Sequence, residues 1–269
     1  MKKTILLTGA TDGIGLVTAK MLAEQGHHLL LHGRSTDKLE QAIETVTAVA
    51  QGGIVEGYLA DMSRIADVEA LAANIAEKHS RLDVLINNAG VYKTPVTTTP
   101  EGLDVRFVVN TLAPFHLTQK LLPLLDGEAR VVNLSSAAQA PVSIDALKGL
   151  AKIDDMGAYA QSKLAITMWS RVMAESLGTN GPKIIAVNPG SLLASKMVKE
   201  GFGVVGSDLS IGADILIRAA LSDEFANASG KYYDNDNKAF APPHPDGLDN
   251  AKSERVVQTI EAVLKILIG

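Results

Sequence analysis

Short apolar runs alternate along the chain with longer segments whose apolar residues recur every three or four positions. The short runs show no regular alternation of apolar and polar residues, which is typical of strands buried on both faces of a sheet. The predicted strands are Thr4–Thr8, His28–His32, Ile54–Leu59, Val84–Asn87, Arg130–Leu134, Lys183–Val187 and Lys231–Tyr233. Helical spacing begins near Ile14, Leu39 and Val68, and longer helices are predicted over about Gly157–Leu177 and Ala251–Leu267.

Alternation of strands with crossover helices predicts an α/β chain with a doubly wound parallel sheet of the Rossmann type and helices on both faces. No linker or internal repeat divides the sequence, so we expect one domain over residues 1–269. Within it, a loop at about 139–155 and a mobile lid at about 191–206 are expected to wall the substrate site. Their apolar residues are equally consistent with core packing: Val142, Leu192, Leu193, Met197 and Phe202.

Composition narrows the class of ligand. Hydrophobic residues make up 46% of the chain and charged residues 20%, which is enough apolar material for a sizeable core. The net charge of −5 is not gathered into blocks, so nucleic acid and anionic membranes are not expected partners, and a small molecule is. There are no cysteines, and the six histidines show no metal-ligand spacing, so no metal is expected.

The N-terminal apolar run, Ile5–Leu7, is too short for a signal-peptide core, and no stretch approaches the ~18 apolar residues of a membrane span. We therefore expect a cytoplasmic protein.

The run TGATDGIG at residues 8–15 lies between the first strand and the first helix. In a dinucleotide-binding turn, Gly9 would permit the tight turn, Gly13 the approach of a pyrophosphate, and Gly15 the packing of helix on strand. The helix N-terminus would then offer N–H groups to the anion. A glycine-rich turn that binds nothing is the alternative that the sequence leaves open.

Arg34 follows the second strand at the place where a carboxylate would bind the ribose 2′-hydroxyl of NAD. A guanidinium there suits the 2′-phosphate of NADP, which favours NADP and leaves NAD as the alternative. Asp12 counts against NADP because its carboxylate would repel a nearby phosphate. Arg34 as an ordinary solvated loop residue also stays open.

Tyr159 and Lys163 are four residues apart on a predicted helix and so share one face. A nearby ammonium lowers the pKa of a phenol from its usual ~10, which suits Tyr159 to general acid/base catalysis. Ser135-Ser136 and the run NNAG at residues 87–90 follow buried strands, where open sheets bind ligands. Each feature alone is also explained by a surface pair or an ordinary turn.

Together these motifs, in this order, resemble the short-chain dehydrogenase/reductase family over about residues 3–195, in its compact single-domain branch. The motifs are Thr8-Gly9 with Gly13-Ile14-Gly15, Asp61-Met62-Ser63, Asn87-Asn88-Ala89-Gly90, Asn110, Ser135-Ser136, Tyr159 with Lys163, and Asn188-Pro189-Gly190. The resemblance implies an oxidoreductase that transfers hydride between NADP(H) and a carbonyl or alcohol carbon.

The same resemblance implies roles for individual residues. Tyr159 would exchange the proton, Lys163 would lower its pKa and hold the nicotinamide ribose, and Ser136 would bond the reacting oxygen. Asn110 would anchor a water that links Lys163 to solvent, and Asp61 would touch the adenine amino group. The implied cofactor-binding residues are Gly9, Thr11, Asp12, Gly13, Ile14, Gly15, Arg34, Asp61, Met62, Asn88, Ala89, Gly90, Tyr159, Lys163, Pro189 and Gly190.

The 23-residue separation of Ser136 from Tyr159 and the run GKYY at residues 230–233 are similar to the retinol-dehydrogenase-like subgroup. That implies a lipid-like or aromatic carbonyl, although the missing hydrophobic N-terminal anchor favours a different substrate. Members of the family associate through the helices that here carry Asn110 and Tyr159, so a homodimer or homotetramer is expected unless the tail covers them. A non-catalytic NADP-binding sensor or regulatory protein is the alternative function.

Overall fold

The computed structural model describes residues 1–191, 193 and 206–269. Each predicted strand is present in it, with its ends shifted by at most one residue. The strands are β1 Thr4–Leu7, β2 His28–Gly33, β3 Val55–Leu59, β4 Val84–Asn87, β5 Arg130–Leu134, β6 Lys183–Asn188, β7 Tyr232–Asp234 and β8 Ala239–Phe240. The helices are α1 Gly13–Glu24, α2 Thr36–Thr47, α3 Ile65–Lys78, α4 Val105–Phe107, α5 Ala113–Leu121, α6 Ile144–Leu147, α7 Asp155–Leu177, α8 Leu209–Leu221 and α9 Asn250–Ile268. Most of the predicted lid, with Leu192, Met197 and Phe202, lies outside the described residues.

The strands form one sheet in the order β3-β2-β1-β4-β5-β6-β7-β8, parallel except for β8. Strand β1 pairs with β2 on one side and with β4 on the other, so the winding reverses at β1. Parallel sheets of this kind open a crevice at the carboxyl ends of the strands where the order reverses. The doubly wound prediction is confirmed, and the crevice lies between the ends of β1 and β4.

The inner strands of the sheet are buried on both faces, which explains why they lack alternation. Successive residues of a strand point to opposite faces. Leu6 packs in the cluster formed with α3, α5, α7 and α9, whereas Ile5 and Leu7 pack in the cluster formed with α1, α2 and α8. All three are fully buried, and full burial of such a side chain stabilises the fold by about 1.5–3 kcal/mol.

Helix α7 begins two residues before the predicted start because of an N-cap. The Asp154 side chain accepts a hydrogen bond from the backbone N–H of Gly157 at 2.6 Å, which satisfies one of the free donors of the first turn. The helix ends as predicted at Gly178, whose φ of +62° lies in the region that favours glycine. This helix carries both Tyr159 and Lys163.

Helices α4, α5, α6 and α8 and strand β8 were not predicted. Helix α8 begins after Asp208, whose side chain accepts from Ser210 N at 2.9 Å, and it packs against α1. Strand β8 pairs with β7 in a segment where neither helix nor strand was predicted, and it follows Lys238, which has a φ of +51°. The terminal helix α9 packs along α7. None of the helices described is both long enough and apolar enough to cross a membrane.

Replacing Asp154 by Ala should lower the free energy of unfolding by about 1 kcal/mol, because the first turn of α7 loses its side-chain acceptor. Chemical denaturation followed by circular dichroism measures the change. Asp154→Asn, which keeps an acceptor oxygen, is the matched control and should lose less. Equal losses in both variants would show that the cap does not stabilise α7.

Candidate active site

A cleft of about 550 Å³ occupies the crevice at the ends of β1 and β4. It brings together residues that the sequence separates by up to 180 positions. The predicted residues in its lining are Gly9, Thr11, Asp12, Gly13, Ile14, Gly15, Arg34, Asp61, Met62, Asn88, Ala89, Gly90, Tyr159, Lys163 and Pro189. Asn110, Ser136 and Gly190 are not in the lining, although each lies beside a residue that is.

The glycine turn is held so closely that side chains are excluded from it. A Cβ on Gly15 would lie 2.1 Å from the carbonyl oxygen of Gly9, and Gly9 itself has a φ of +66°. The Asn88 side chain donates to the carbonyls of Thr8 at 2.8 Å and Gly9 at 3.0 Å. Asn88 therefore joins the end of β4 to the turn, a bracing contact that the sequence motif did not indicate.

Asp12, which we expected to oppose NADP, is engaged within the chain. Its side chain caps α1 by accepting from Gly13 N at 2.7 Å, and its other oxygen lies 3.7 Å from the Lys38 ammonium. Lys38 was not predicted, although its place four residues after Arg34 was visible in the sequence. It lines the cleft with Arg34, which is exposed and makes no hydrogen bond to any residue described. Two cations therefore face this end of the cleft.

His32 is a second residue that sequence reasoning missed. Its Nδ1 accepts from Gly9 N at 3.1 Å, and its Nε2 lies 3.0 Å from the carbonyl oxygen of Ala60. Only a neutral ring with its proton on Nε2 satisfies both contacts. Burial lowers the pKa of His32, consistent with the neutral form. The ring joins the glycine turn to the loop after β3.

That loop carries Asp61 and Met62. One oxygen of the Asp61 carboxylate accepts from Ser63 N at 2.9 Å and Ser63 Oγ at 2.8 Å. The loop is thereby fixed with Asp61 and Met62 at the wall of the cleft. Contact of Asp61 with an adenine stays a prediction.

At the other end of the cleft, α7 is bonded to the end of β5. The Lys163 ammonium, only 4% exposed, donates to the carbonyl oxygen of Leu134 at 2.7 Å. Burial lowers the pKa of Lys163 to about 8, so the group is still mostly protonated at pH 7. Its Nζ lies 5.7 Å from the centroid of the Tyr159 ring.

The two serines after β5 differ in their environments. Ser135 is buried, and its hydroxyl bonds the carbonyl of Lys163 at 2.9 Å and the hydroxyl of Thr167 at 2.7 Å. Ser136 is half-buried, its hydroxyl accepts from Ala138 N at 3.1 Å, and it lies close enough to the Tyr159 phenol to lower the pKa of that group. Ser135 therefore fastens strand to helix, whereas Ser136 stands beside the phenol.

The Tyr159 phenol differs from our expectation that Lys163 lowers its pKa. Burial raises the pKa of Tyr159, the nearby Ser136 hydroxyl lowers it, and the neighbouring Tyr92 raises it. The Tyr92 ring, which we did not predict, lies 5.2 Å from the Tyr159 ring. The Lys163 ammonium instead donates to a backbone carbonyl, so in this chain Ser136 is the partner that favours the ionised phenol.

Asn110 lies in a π-helical turn, Val108–Leu112, between α4 and α5. Its side chain accepts from Val91 N at 2.8 Å and donates to Val91 O at 2.9 Å and to Ser162 Oγ at 3.0 Å. A Cβ on Gly90 would lie 3.3 Å from Asn110 Oδ1 and 3.6 Å from Lys163 Nζ. Asn110 is thus a neighbour of Lys163 behind Gly90, and its water-anchoring role stays a prediction.

The loop after β6 is held by carboxylates. Asn188 accepts from Gly190 N at 3.2 Å and donates to Asp234 and Asp236 at 2.8 and 2.9 Å. These bonds place Pro189 in the lining of the cleft, with Gly190 just behind it.

Comparison with known proteins agrees with the motifs. The sequence profile for "short chain dehydrogenase" matches residues 3–202. The chain is 32% identical to human retinol dehydrogenase 13, over 99% of this chain and 85% of that protein. It is 31% identical to human polyprenol dehydrogenase, over 88% of this chain and 78% of that protein.

Several solved structures share this fold over most of the chain. An uncharacterised protein from Mycobacterium paratuberculosis is similar with a TM-score of 0.79 and 27% identity, covering 98% of this chain and 93% of its own. A Pseudomonas aeruginosa RhlG/NADP active-site complex has a TM-score of 0.69 and 25% identity, covering 86% and 94%. A Shigella flexneri short chain dehydrogenase complexed with NADP has a TM-score of 0.68 and 27% identity, covering 87% and 96%.

Stability should fall as the pH drops below 6.5, the pKa of an unperturbed histidine, because the unfolded chain takes up a proton that folded His32 resists. The loss should continue down to the lowered pKa of the folded state and then level off. Thermal midpoints measured from pH 7.5 to 5 should decline less steeply in His32→Asn than in the native chain. Identical slopes would show that His32 does not resist protonation.

Proposed function

Because this chain belongs to the retinol-dehydrogenase-like subgroup of the short-chain dehydrogenase/reductase family, we propose that it is an NADP-dependent enzyme that interconverts an alcohol and a carbonyl compound. The observation that carries the proposal is the single cleft in which the glycine turn, the Arg34–Lys38 cations and Tyr159 with Lys163 meet. A protein that only sensed the cofactor would not need the pair Tyr159 and Lys163.

The residues of the cleft fit a dinucleotide phosphate. The turn excludes side chains where a pyrophosphate would approach, and the N-terminus of α1 lies beside it. Arg34 and Lys38 form a cationic end suited to a 2′-phosphate, with the Asp12 charge partly offset by Lys38. The two NADP complexes among the similar structures support the same cofactor, and NAD stays the alternative.

At the reacting end, Tyr159 would donate a proton to the carbonyl oxygen, and Ser136 would stabilise the negative charge that develops there. Bound NADPH would supply the hydride. A raised pKa keeps the phenol protonated at neutral pH, which is the state a proton donor requires. Lys163 places a positive charge next to this centre and would hold the ribose, as the family resemblance implies.

For the substrate, we propose an isoprenoid or similarly lipid-like aldehyde or its alcohol. Two relatives are named for retinol and polyprenol, both of which are isoprenoid alcohols. The residues expected to wall the substrate lean apolar, which suits such a chain.

The direct test is NADPH oxidation by the purified protein with a panel of isoprenoid, aromatic and short aliphatic aldehydes, ketones and quinones. Turnover with at least one class is expected, with isoprenoid aldehydes the fastest. Tight NADPH binding without any turnover would favour the sensor over the enzyme.

Tyr159→Phe should lower kcat by at least about 10²-fold while leaving NADPH affinity unchanged, because only the transferable proton is removed. Steady-state kinetics and NADPH titration measure the two effects. Tyr58→Phe is the matched control, since the hydroxyl of Tyr58 on β3 contacts Glu56 and His79, and none of the three lines the cleft. Near-native turnover by the Tyr159 variant would contradict the mechanism.

Arg34→Ala and Lys38→Ala should each weaken NADPH binding by about tenfold and NADH binding far less, because a charge-assisted contact to the 2′-phosphate is lost. Fluorescence titration with both cofactors gives the two dissociation constants. Lys265→Ala, on the terminal helix α9, removes the same charge far from the cleft and should change neither. Equal weakening of NADPH and NADH would remove the basis for NADP preference.

A further inference from the structure

The carbonyl oxygen of Ser136 accepts two side-chain hydrogen bonds. One comes from the Gln139 amide nitrogen at 2.9 Å and the other from the Tyr232 hydroxyl at 3.1 Å. Tyr232 belongs to β7, 96 residues further along the chain. The Gln139 and Tyr232 side chains therefore meet at the same oxygen.

This network joins the tail of the chain to the loop that carries the serine. The side-chain amide oxygen of Gln139 accepts from the backbone N–H of His244 at 2.9 Å, so the tail contacts the loop twice, through His244 and Tyr232. The tail is in turn fastened to α7, because Arg171 donates to the carbonyl of Gly247 at 2.9 Å. The loop after β5 is therefore held between α7 and the tail.

We infer that Tyr232 and Gln139 are positioning residues for Ser136, holding its backbone so that its hydroxyl faces Tyr159. The inference rests on the proposed function, in which Ser136 stabilises charge on the reacting oxygen. The carbonyl of Ser136 is bound by two side chains, and its hydroxyl accepts from Ala138 N at 3.1 Å beside the Tyr159 phenol. The residue therefore has little freedom to turn.

The state of the Tyr232 hydroxyl suits this role. The side chain is only 7% exposed, and burial raises the pKa of Tyr232, with the Asp234 and Asp236 charges adding to the effect. The phenol therefore stays protonated and can donate at any working pH. Buried hydroxyls normally have a partner, and here the partner belongs to the candidate active site.

The next residue provides a matched control. Tyr233 points to the opposite face of the sheet, as successive strand residues do, where its hydroxyl lies 3.4 Å from the Arg218 guanidinium. Its ring packs with Phe225 and Phe240, away from Ser136. Removing either hydroxyl deletes the same atom from adjacent buried positions, and only one of them touches the serine.

Tyr232→Phe should lower kcat by about 5–10-fold, the rate equivalent of one hydrogen bond, with NADPH affinity unchanged, whereas Tyr233→Phe should match the native kcat. The pH–rate profile adds a readout that a purely structural role would not move. Since the nearby Ser136 hydroxyl lowers the pKa of Tyr159, loosening Ser136 should shift the apparent pKa of the profile upward in Tyr232→Phe alone.

A double-mutant cycle tests whether Tyr232 affects kcat through Ser136. In a Ser136→Ala background, Tyr232→Phe should cost nothing further. Gln139→Met, which keeps the shape without the hydrogen bonds, should behave like Tyr232→Phe and serves if that variant misfolds by circular dichroism.

Native kcat in both Tyr232→Phe and Gln139→Met, or a full additional loss on top of Ser136→Ala, would overturn this inference and leave the proposed function standing. Native kcat in Ser136→Ala would instead overturn the role proposed for the serine, and this inference with it.

Discussion

A buried ammonium at the junction of α7 and β5 sets the geometry of the catalytic end. Lys163 is almost fully enclosed, and a charge in that position costs several kcal/mol unless it is well bonded. Its bond to the Leu134 carbonyl, returned by the bond from Ser135 to the Lys163 carbonyl, fixes the helix against the strand. The helix cannot slide without depriving the ammonium of that partner. Tyr159, one turn earlier, is positioned by the same constraint.

The sheet was predictable because most of its strands can be recognised from their own residues, as short apolar runs. Strands buried on both faces must be continuous apolar runs, and these were readable to within a residue. Strand β8 offered no such signal, since two residues show no periodicity and the strand depends on the turn at Lys238. Helix α8 does carry a helical periodicity, at Ala213, Leu216 and Ala220. We did not predict it because we interpreted the apolar, glycine-rich segment before it as a lid.

The site was predictable where a motif names the residue that faces the ligand, and less so where a residue acts through another. Predicting Lys38 in the cleft would have required the start of α2 at Thr36, after which the fold places Lys38 in the lining together with Arg34. His32 sits in a strand that reads as core, and only the fold places its ring between Gly9 and Ala60. The direction of the Tyr159 pKa depends on burial, which spacing does not report.

The π-helical turn at Val108–Leu112 has a consequence for how the chain tolerates changes in length. Such a turn holds one residue more than a regular helix needs. Deleting a residue just before Asn110 would give a helix of ordinary geometry, yet it would swing the amide by roughly 100° about the axis, away from Val91 and Ser162. Insertions and deletions that helix propensity would accept are therefore barred in this segment by the amide alone.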